Sequence, residues 1–223
     1  MQEFIEVTRE NIRCLADIMD GLEEAATVHA IDLQIDFPRM LNDFGVLWMI
    51  VRSQLRLKRM PQSTLRIKTW MRRTKAAVSY RDFALFDGED AIGEAVQSWV
   101  LVDVNTRKLV NMKNIVPLWS LPFPQPERTN VPHRLSVPLL PKVENFTVSA
   151  EELDFNEHFN NVHYIRHAEK YASEGALCLD VSYERECFMG ETLALHAEND
   201  FVCIMKPDGS VAFRAHFYKG EPI

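Results

Sequence analysis

The sequence predicts an α+β protein built as two similar halves, each an antiparallel sheet wrapped around a helix. Three observations lead to this prediction. An amphipathic helix precedes a run of strands, a proline-rich segment then interrupts the chain, and a second helix follows with strands of its own. A helix with one apolar face needs a sheet to cover it, so each helix should lie inside the curve of its sheet. The 223 residues, of which 47% are hydrophobic, are enough for such a core.

The first helix is predicted from about residue 8 to residue 30. Apolar side chains recur at helical spacing from Ile12 to Ala26, and Glu23 is the one polar residue on that face. The pattern then changes to the alternation of strands, with turn residues at Asp87-Gly88 and Asn105-Thr106. Four strands are predicted in this region, at 46–58, 64–73, 77–86 and 91–104.

Seven of the eleven prolines lie between residues 117 and 141. Proline has no backbone donor, so this segment is expected to be an ordered connector rather than a central strand or a helix. The predicted organisation is an N-terminal unit at 1–115, a connector at 116–141 and a C-terminal unit at 142–223. Within the last unit we predict a helix at 161–173 and strands at 143–148, 179–187, 192–199, 201–205 and 211–218.

Composition limits the classes of function. There are 25 basic and 32 acidic residues, and a net charge of −7 argues against a nucleic-acid partner. Four cysteines without a CxxC pair predict a reducing, cytoplasmic location, and neither a targeting segment nor a membrane-inserted stretch is expected. Cofactors and metals are not predicted, because phosphate-loop motifs are missing and His163 and His167 have no carboxylate at ligand spacing.

A cluster of polar residues precedes the second helix. Asp154, Asn156 and His158 alternate along the chain there, and Glu186 and Cys187 follow on the next predicted strand. Histidine and amide groups on one segment, with a base or nucleophile on its neighbour, are the components of a small hydrolytic site. The sequence therefore predicts that these two segments meet in one pocket.

Some of these residues also have structural interpretations. An asparagine just before a helix, such as Asn160 or Asn161, is expected to be its N-cap. A glutamate on a strand, such as Glu186, often faces solvent. Cys187 fits the pattern of a small buried hydrophobe. The Asp-x-Asn-x-His spacing is different, because capping has no use for a histidine at that place.

At these residues the chain resembles the acyl-acyl carrier protein thioesterase family. The family's signature Asp-x-Asn-x-His-x-Asn-Asn-x-x-Tyr is met from Asp154 to Tyr164, and its Tyr-x-Arg-Glu-Cys block is met at 183–187. The likeness continues in the first half at Thr69-Trp70, at 81–83 and at 98–107. The resemblance implies a tandem (double) hotdog fold and a bacterial-type, cofactor-free enzyme that hydrolyses fatty acyl-carrier protein thioesters and so terminates fatty-acid synthesis. It leaves open whether the enzyme is a monomer or a homodimer.

On this basis we expect Glu186 to be the general base that activates water. His158 and Asn156 would orient the water and the thioester, Asp154 would hold them in place, and amides at the start of the second helix would stabilise the oxyanion. The rival route uses Cys187 as the nucleophile, activated by His158, and needs an accessible thiolate. Rival functions are an acyl-CoA thioesterase on the same fold and a noncatalytic acyl-binding module.

Ten basic residues and no acidic ones lie between Arg52 and Arg81. Acyl carrier protein is strongly acidic, so this region is expected to steer and dock it. The expected docking residues are Arg66, Lys68, Arg72, Arg73 and Lys75. The acyl chain needs an apolar tunnel, which we expect in the first half between helix and sheet, with Met19, Trp48, Met49 and Ile50 as candidates.

Overall fold

The computed structural model describes residues 1–72, 77–123 and 130–220. The elements of the first half are β1 (Ile5–Arg9), α1 (Leu15–Asp32), α2 (Phe37–Phe44), β2 (Val46–Leu57), β3 (Leu65–Met71), β4 (Val78–Asp87), β5 (Asp90–Asp103) and β6 (Leu109–Val110). Those of the second half are β7 (Lys142–Thr147), α3 (Asn161–Glu169), β8 (Cys178–Tyr183), β9 (Thr192–Glu198), β10 (Phe201–Met205) and β11 (Val211–Tyr218). Short 3-10 turns lie at Met112–Asn114, Val116–Trp119 and Ala150–Glu152.

Within the described residues, the strands form one antiparallel sheet in the order β1-β3-β4-β5-β2-β8-β11-β10-β9-β7, with β6 added beside β5. In this order, the strands from β1 to β2 belong to the first half, and the strands from β8 to β7 belong to the second half. The two halves join where β2 pairs with β8, in a register that sets Arg52 opposite Ser182 and Arg56 opposite Cys178. The predicted α+β class is confirmed, and so is the expectation that the two sheets pair.

The helices α1 and α3 occupy the inside of the sheet and share one apolar core. Side chains of α1 such as Ile18 and Leu22 are completely buried, as is Ile165 of α3, and all three belong to the same cluster. The two helices are also joined at their ends. The Glu169 carboxylate of α3 accepts hydrogen bonds from the backbone N–H groups of Leu15 at 2.7 Å and Ala16 at 3.1 Å. A negative charge at a helix N-terminus stabilises the helix. The second half therefore supplies the acceptor for the first free N–H groups of α1.

The N-terminal region differs from the prediction in two places. Residues 8 and 9, assigned to the first helix, belong to β1, which pairs with β3 from Ile5 opposite Thr69 to Arg9 opposite Leu65. Helix α2 was not predicted. It has a recognisable start at Asp36, whose side chain accepts the N–H of Arg39, and a left-handed end at Gly45 with φ of 64°.

The strand predicted at 179–187 ends early, at Tyr183. The N–H groups of Glu184 and Arg185 both donate to the single carbonyl of Ala212, at 2.8 and 3.2 Å, which ends the regular pairing. The placement of Glu186 and Cys187 on a strand was therefore wrong. They lie on a loop that turns towards the polar cluster, where the Cys187 carbonyl accepts the N–H of Phe159 at 2.8 Å.

Two parts of the connector are described: residues 116–123 contain the 3-10 turn Val116–Trp119, and residues 130–141 contain neither a helix nor a strand. The N–H of Leu135 donates to the Ser182 hydroxyl on β8 at 2.9 Å, and the N–H of Ala197 on β9 donates to the Pro141 carbonyl at 3.1 Å. The connector is thereby fixed to the sheet of the second half. None of the helices in the described ranges is both long and apolar enough to cross a membrane.

Candidate active site

A loop shaped by Asp154 presents the polar cluster. One carboxylate oxygen of Asp154 accepts the N–H groups of Asn156 at 2.7 Å and of His158 at 3.0 Å. The N–H of Asp154 donates in turn to the His158 carbonyl at 2.8 Å. Such side-chain to backbone bonds define a tight turn, here with Glu157 at φ of 62°. Asp154 therefore positions the backbone of Asn156 and His158, and their side chains are left to face the cavity.

The asparagine that follows starts helix α3. The Asn160 side chain accepts the N–H of Val162 at 2.9 Å, and its carbonyl accepts the N–H of His163 at 2.9 Å. These two amides are already satisfied, so the expectation that amides at the start of the second helix form the oxyanion site is wrong for Val162 and His163. Asn160 acts as the N-cap, in agreement with its structural interpretation.

The Glu186 carboxylate lies beside the His158 ring. Its Oε1 is 3.6 Å from Nδ1 of His158, and its Oε2 is bonded by the guanidinium of Arg107. The Glu186 carbonyl accepts a hydrogen bond from Nζ of Lys206 at 2.7 Å, and the His158 ring packs edge-on against Phe188 with centroids 5.2 Å apart. Both groups are only about one-fifth exposed, so the carboxylate is held at the edge of the protein interior rather than free in solvent.

Arg107 was not predicted as a site residue. It comes from the first half of the chain, 79 residues before Glu186. The Asp103 carboxylate accepts the N–H groups of Asn105 and Thr106 at 3.1 and 2.7 Å, and this turn delivers Arg107 in a left-handed conformation with φ of 57°. A sequence pattern shows the turn but not the distant carboxylate to which it points.

The polar residues form part of the wall of a cavity of about 700 Å³. Asp154, Asn156, His158 and Glu186 line it together. The rest of the wall is largely apolar and comes mainly from β2 and β5: Leu47, Trp48, Met49, Ile50, Val51, Trp99, Val100 and Val102. Three tunnel candidates, Trp48, Met49 and Ile50, therefore lie where they were expected. Met19 was a wrong candidate, because it is 1% exposed and packs in the core of the sheet rather than on the cavity wall.

Cys187 is unsuited to act as an accessible nucleophile. It is completely buried within the apolar core, and its burial raises the pKa of its thiol. A nucleophilic cysteine needs the opposite conditions, namely a lowered pKa and an exposed sulfur. The structure therefore agrees with the interpretation of Cys187 as a small buried hydrophobe.

The predicted docking residues have different surroundings. Arg72 was wrongly assigned, because it is only 6% exposed and donates to both carboxylate oxygens of buried Asp82 at 2.7 Å. A buried carboxylate needs such a partner, so this arginine is a structural counter-charge. Arg66 is one-third exposed, and Lys68 lies over the ring of Phe4. Arg73 and Lys75 lie outside the described residues.

The histidines of α3 are engaged with an acid that the sequence did not reveal. His167 is 2.9 Å from Oε1 of Glu152, and His163 is 4.0 Å from the same atom. In the ranges that the structure describes, no three His, Cys, Asp or Glu side chains cluster in a way that would hold a metal ion.

Comparisons with known proteins identify the family of this chain. The acyl-ACP thioesterase N-terminal domain model matches residues 3–116, and the C-terminal domain model matches residues 140–215. A chloroplastic acyl-[acyl-carrier-protein] hydrolase of Cuphea viscosissima is 26% identical over an alignment of 209 residues that covers 82% of this chain and 49% of that protein. The chain thus spans about half the length of the curated relatives it matches.

Two solved structures have the same fold. A Bacteroides thetaiotaomicron acyl-ACP thioesterase has a TM-score of 0.85 and 20% identity, with 96% of this chain and 97% of that chain covered. A 12:0-ACP thioesterase from Umbellularia californica has a TM-score of 0.76 and 17% identity, with 98% of both chains covered. The tandem hotdog fold is confirmed by these structures. Because the two family models together match most of the chain, the protein belongs to the acyl-ACP thioesterase family.

Proposed function

We propose that the protein hydrolyses fatty acyl-acyl carrier protein thioesters to free fatty acid and carrier protein, and so terminates fatty-acid synthesis. The observation that carries this proposal is the position of the Glu186 carboxylate and the His158 ring on the wall of a largely apolar cavity. The volume and apolar wall of the cavity suit an acyl chain, and the polar groups on the same wall suit its reactive carbonyl. The four free cysteines suit the cytoplasm as the location.

In the proposed mechanism, Glu186 takes a proton from a water molecule as that water attacks the thioester carbonyl carbon. Arg107 occupies Oε2 of Glu186, so Oε1, which faces His158, is the oxygen that accepts this proton. The carbon–sulfur bond then breaks, the proton passes to the thiolate of the carrier's prosthetic group, and the fatty acid leaves. A base held in a fixed orientation needs no reorganisation at the moment of reaction.

The side chains of Asn156 and His158 polarise the carbonyl in this proposal. Both face the cavity because the Asp154 carboxylate holds the backbone of their loop. Donors aimed at the developing oxyanion are usually the largest single contribution of such a site. Asp154 is thus a positioning residue that acts through the loop, and it need not contact the substrate.

For the carrier protein, we propose docking on the outer face of β3 around Arg66 and Lys68, with Arg73 and Lys75 retained as sequence-based candidates. Nη1 of Arg66 is 3.2 Å from Oε2 of Glu6, so part of the charge of Arg66 is compensated. The ammonium group of Lys68 lies over the ring of Phe4, which is uncharged. Lys68 is therefore the residue whose charge is best placed for an acidic partner.

The substitution Glu186→Gln should lower kcat by roughly 10²- to 10⁴-fold, because it removes the general base and keeps the size of the side chain. Steady-state release of free thiol from an acyl-carrier substrate measures this effect. The matched control is Glu184→Gln, whose carboxylate is bonded to Arg134 and Arg214 and which should retain kcat. Near-normal turnover by the Glu186 variant would refute the assigned role.

The substitution Cys187→Ala should retain kcat within a few-fold and lower the free energy of unfolding by about 1 kcal/mol, as expected for a small core truncation. Turnover and chemical denaturation measure the two effects, and intact-mass analysis after one turnover shows whether an acyl group stays on the enzyme. An acyl group trapped on Cys187 of the wild-type enzyme would establish the covalent route instead, and a folded variant without activity would contradict the expected outcome.

The function itself is tested by comparing acyl-carrier and acyl-CoA forms of the same acyl chain. We expect kcat/KM to be at least about tenfold higher for the carrier form at low salt, because only the carrier offers an extended acidic surface. Lys68→Glu should raise KM for the carrier form and leave the CoA form unchanged. Lys170 is an exposed lysine that follows α3, and Lys170→Glu is the control for the change in net charge.

An enzyme that cleaves the CoA form equally well or better would indicate an acyl-CoA thioesterase. Binding of acyl chains without thiol release would indicate the noncatalytic module. Equal effects of the two lysine substitutions would show that the β3 face has no specific part in docking.

A further inference from the structure

The cavity wall carries buried polar atoms that have no protein partner. Among the residues that the structure describes, Oε1 of Glu23, the hydroxyl of Tyr183 and Nε1 of Trp99 are buried without a hydrogen bond, and all three residues line the cavity. Unpaired buried polar groups are costly, and native proteins contain few of them. Three such groups around one cavity are candidates to bind polar atoms of a ligand.

Glu23 is the most unusual of these groups. It is the polar residue on the otherwise apolar face of α1, and burial raises the pKa of its carboxyl to about 8. The neutral acid therefore predominates at pH 7, and a neutral carboxyl group can both donate and accept a hydrogen bond. Neither the proposed hydrolysis at Glu186 nor the packing of the core requires an acid at this position.

The surroundings of Glu23 place it near the carbonyl end of the acyl site. The Asn161 side chain and the Asp154 carboxylate are both near enough to affect its pKa, Asn161 by lowering it and Asp154 by raising it. Glu23 is also close enough to Tyr183, which precedes Glu186 by three residues, for its ionised form to raise the pKa of that phenol. Glu23 and Tyr183, called here the polar pair, thus lie on the side of the cavity where the catalytic loops begin.

We propose that the polar pair binds a hydroxyl group on the acyl chain, so that the preferred substrate is a hydroxyacyl thioester whose hydroxyl lies within the first few carbons of the thioester. A plain methylene chain passing the polar pair would leave both groups unpaired. A hydroxyl donates to Oε1 of Glu23 and accepts from the hydroxyl of Tyr183, which pairs both. This inference rests on the proposed thioesterase function and specifies its substrate class.

The test compares kcat/KM of the wild-type enzyme for 3-hydroxyacyl and unsubstituted acyl carrier thioesters of equal chain length. We expect the hydroxyacyl form to be preferred by at least about tenfold, because a site built to bind a hydroxyl discriminates strongly against its absence. Glu23→Leu should reverse this preference by lowering kcat/KM for the hydroxyacyl form and raising it for the unsubstituted form. Glu24→Leu, which removes an acid from the exposed side of the same helix, should leave the ratio of the two kcat/KM values as in wild type.

Tyr183→Phe provides a second, independent variant that removes one oxygen and almost no volume, and it should reduce the preference even if Glu23→Leu does not fold. A wild-type enzyme that hydrolyses the unsubstituted chain equally well or better would overturn the inference and leave the thioesterase function intact. Equal loss of both activities in Glu23→Leu and in Tyr183→Phe would overturn it too, by showing a role unrelated to the hydroxyl. A wild-type enzyme that hydrolyses neither thioester would refute the proposed function itself.

Discussion

The antiparallel pairing of β2 with β8 is the constraint on which the site depends. It makes one sheet of the two halves and sets their inner faces side by side. The Glu169 carboxylate of α3 accepts two hydrogen bonds from N–H groups at the start of α1, and these bonds hold the two helices together. Because both contacts cross between halves, neither half can move away without losing these buried hydrogen bonds. The cavity that lies along this junction is lined by residues of both halves.

The site follows from this junction. The polar cluster and the Glu186 loop belong to the second half, whereas Arg107, Glu23 and the apolar wall from β2 and β5 belong to the first. In the proposed function, the second half supplies most of the chemistry and the first half supplies most of the wall that binds the acyl chain. Each half also contributes to the other role, because Arg107 of the first half is bonded to Glu186 and Tyr183 of the second half lines the cavity. Sequence alone suggested a strict division between binding and catalysis, whereas residues of both halves line this cavity.

The sequence predicted best what is encoded locally. Strands β10 and β11 were predicted to the residue, because alternating apolar positions flank a turn with Pro207-Asp208-Gly209. The edge strand β1 was missed, because its pairing with β3 is a tertiary contact across about sixty residues. The early end of β8 was missed for a similar reason, since the Ala212 carbonyl that ends it comes from a distant strand. Arg72 was misjudged because its partner Asp82 is revealed only by the register of β3 and β4.

In the proposed function, the thioester carbonyl stops beside Glu186 and His158 and the acyl chain lies in the cavity. A crystal structure with a non-hydrolysable acyl-pantetheine analogue, in which an amide NH replaces the thioester sulfur, tests this most directly. We predict that the carbonyl carbon lies one water molecule away from Oε1 of Glu186, with that water roughly 3–3.5 Å from the carbon, and that the chain runs along Trp48 and Ile50. An analogue whose carbonyl lies away from both Glu186 and His158, or whose chain lies outside the cavity, would contradict the account.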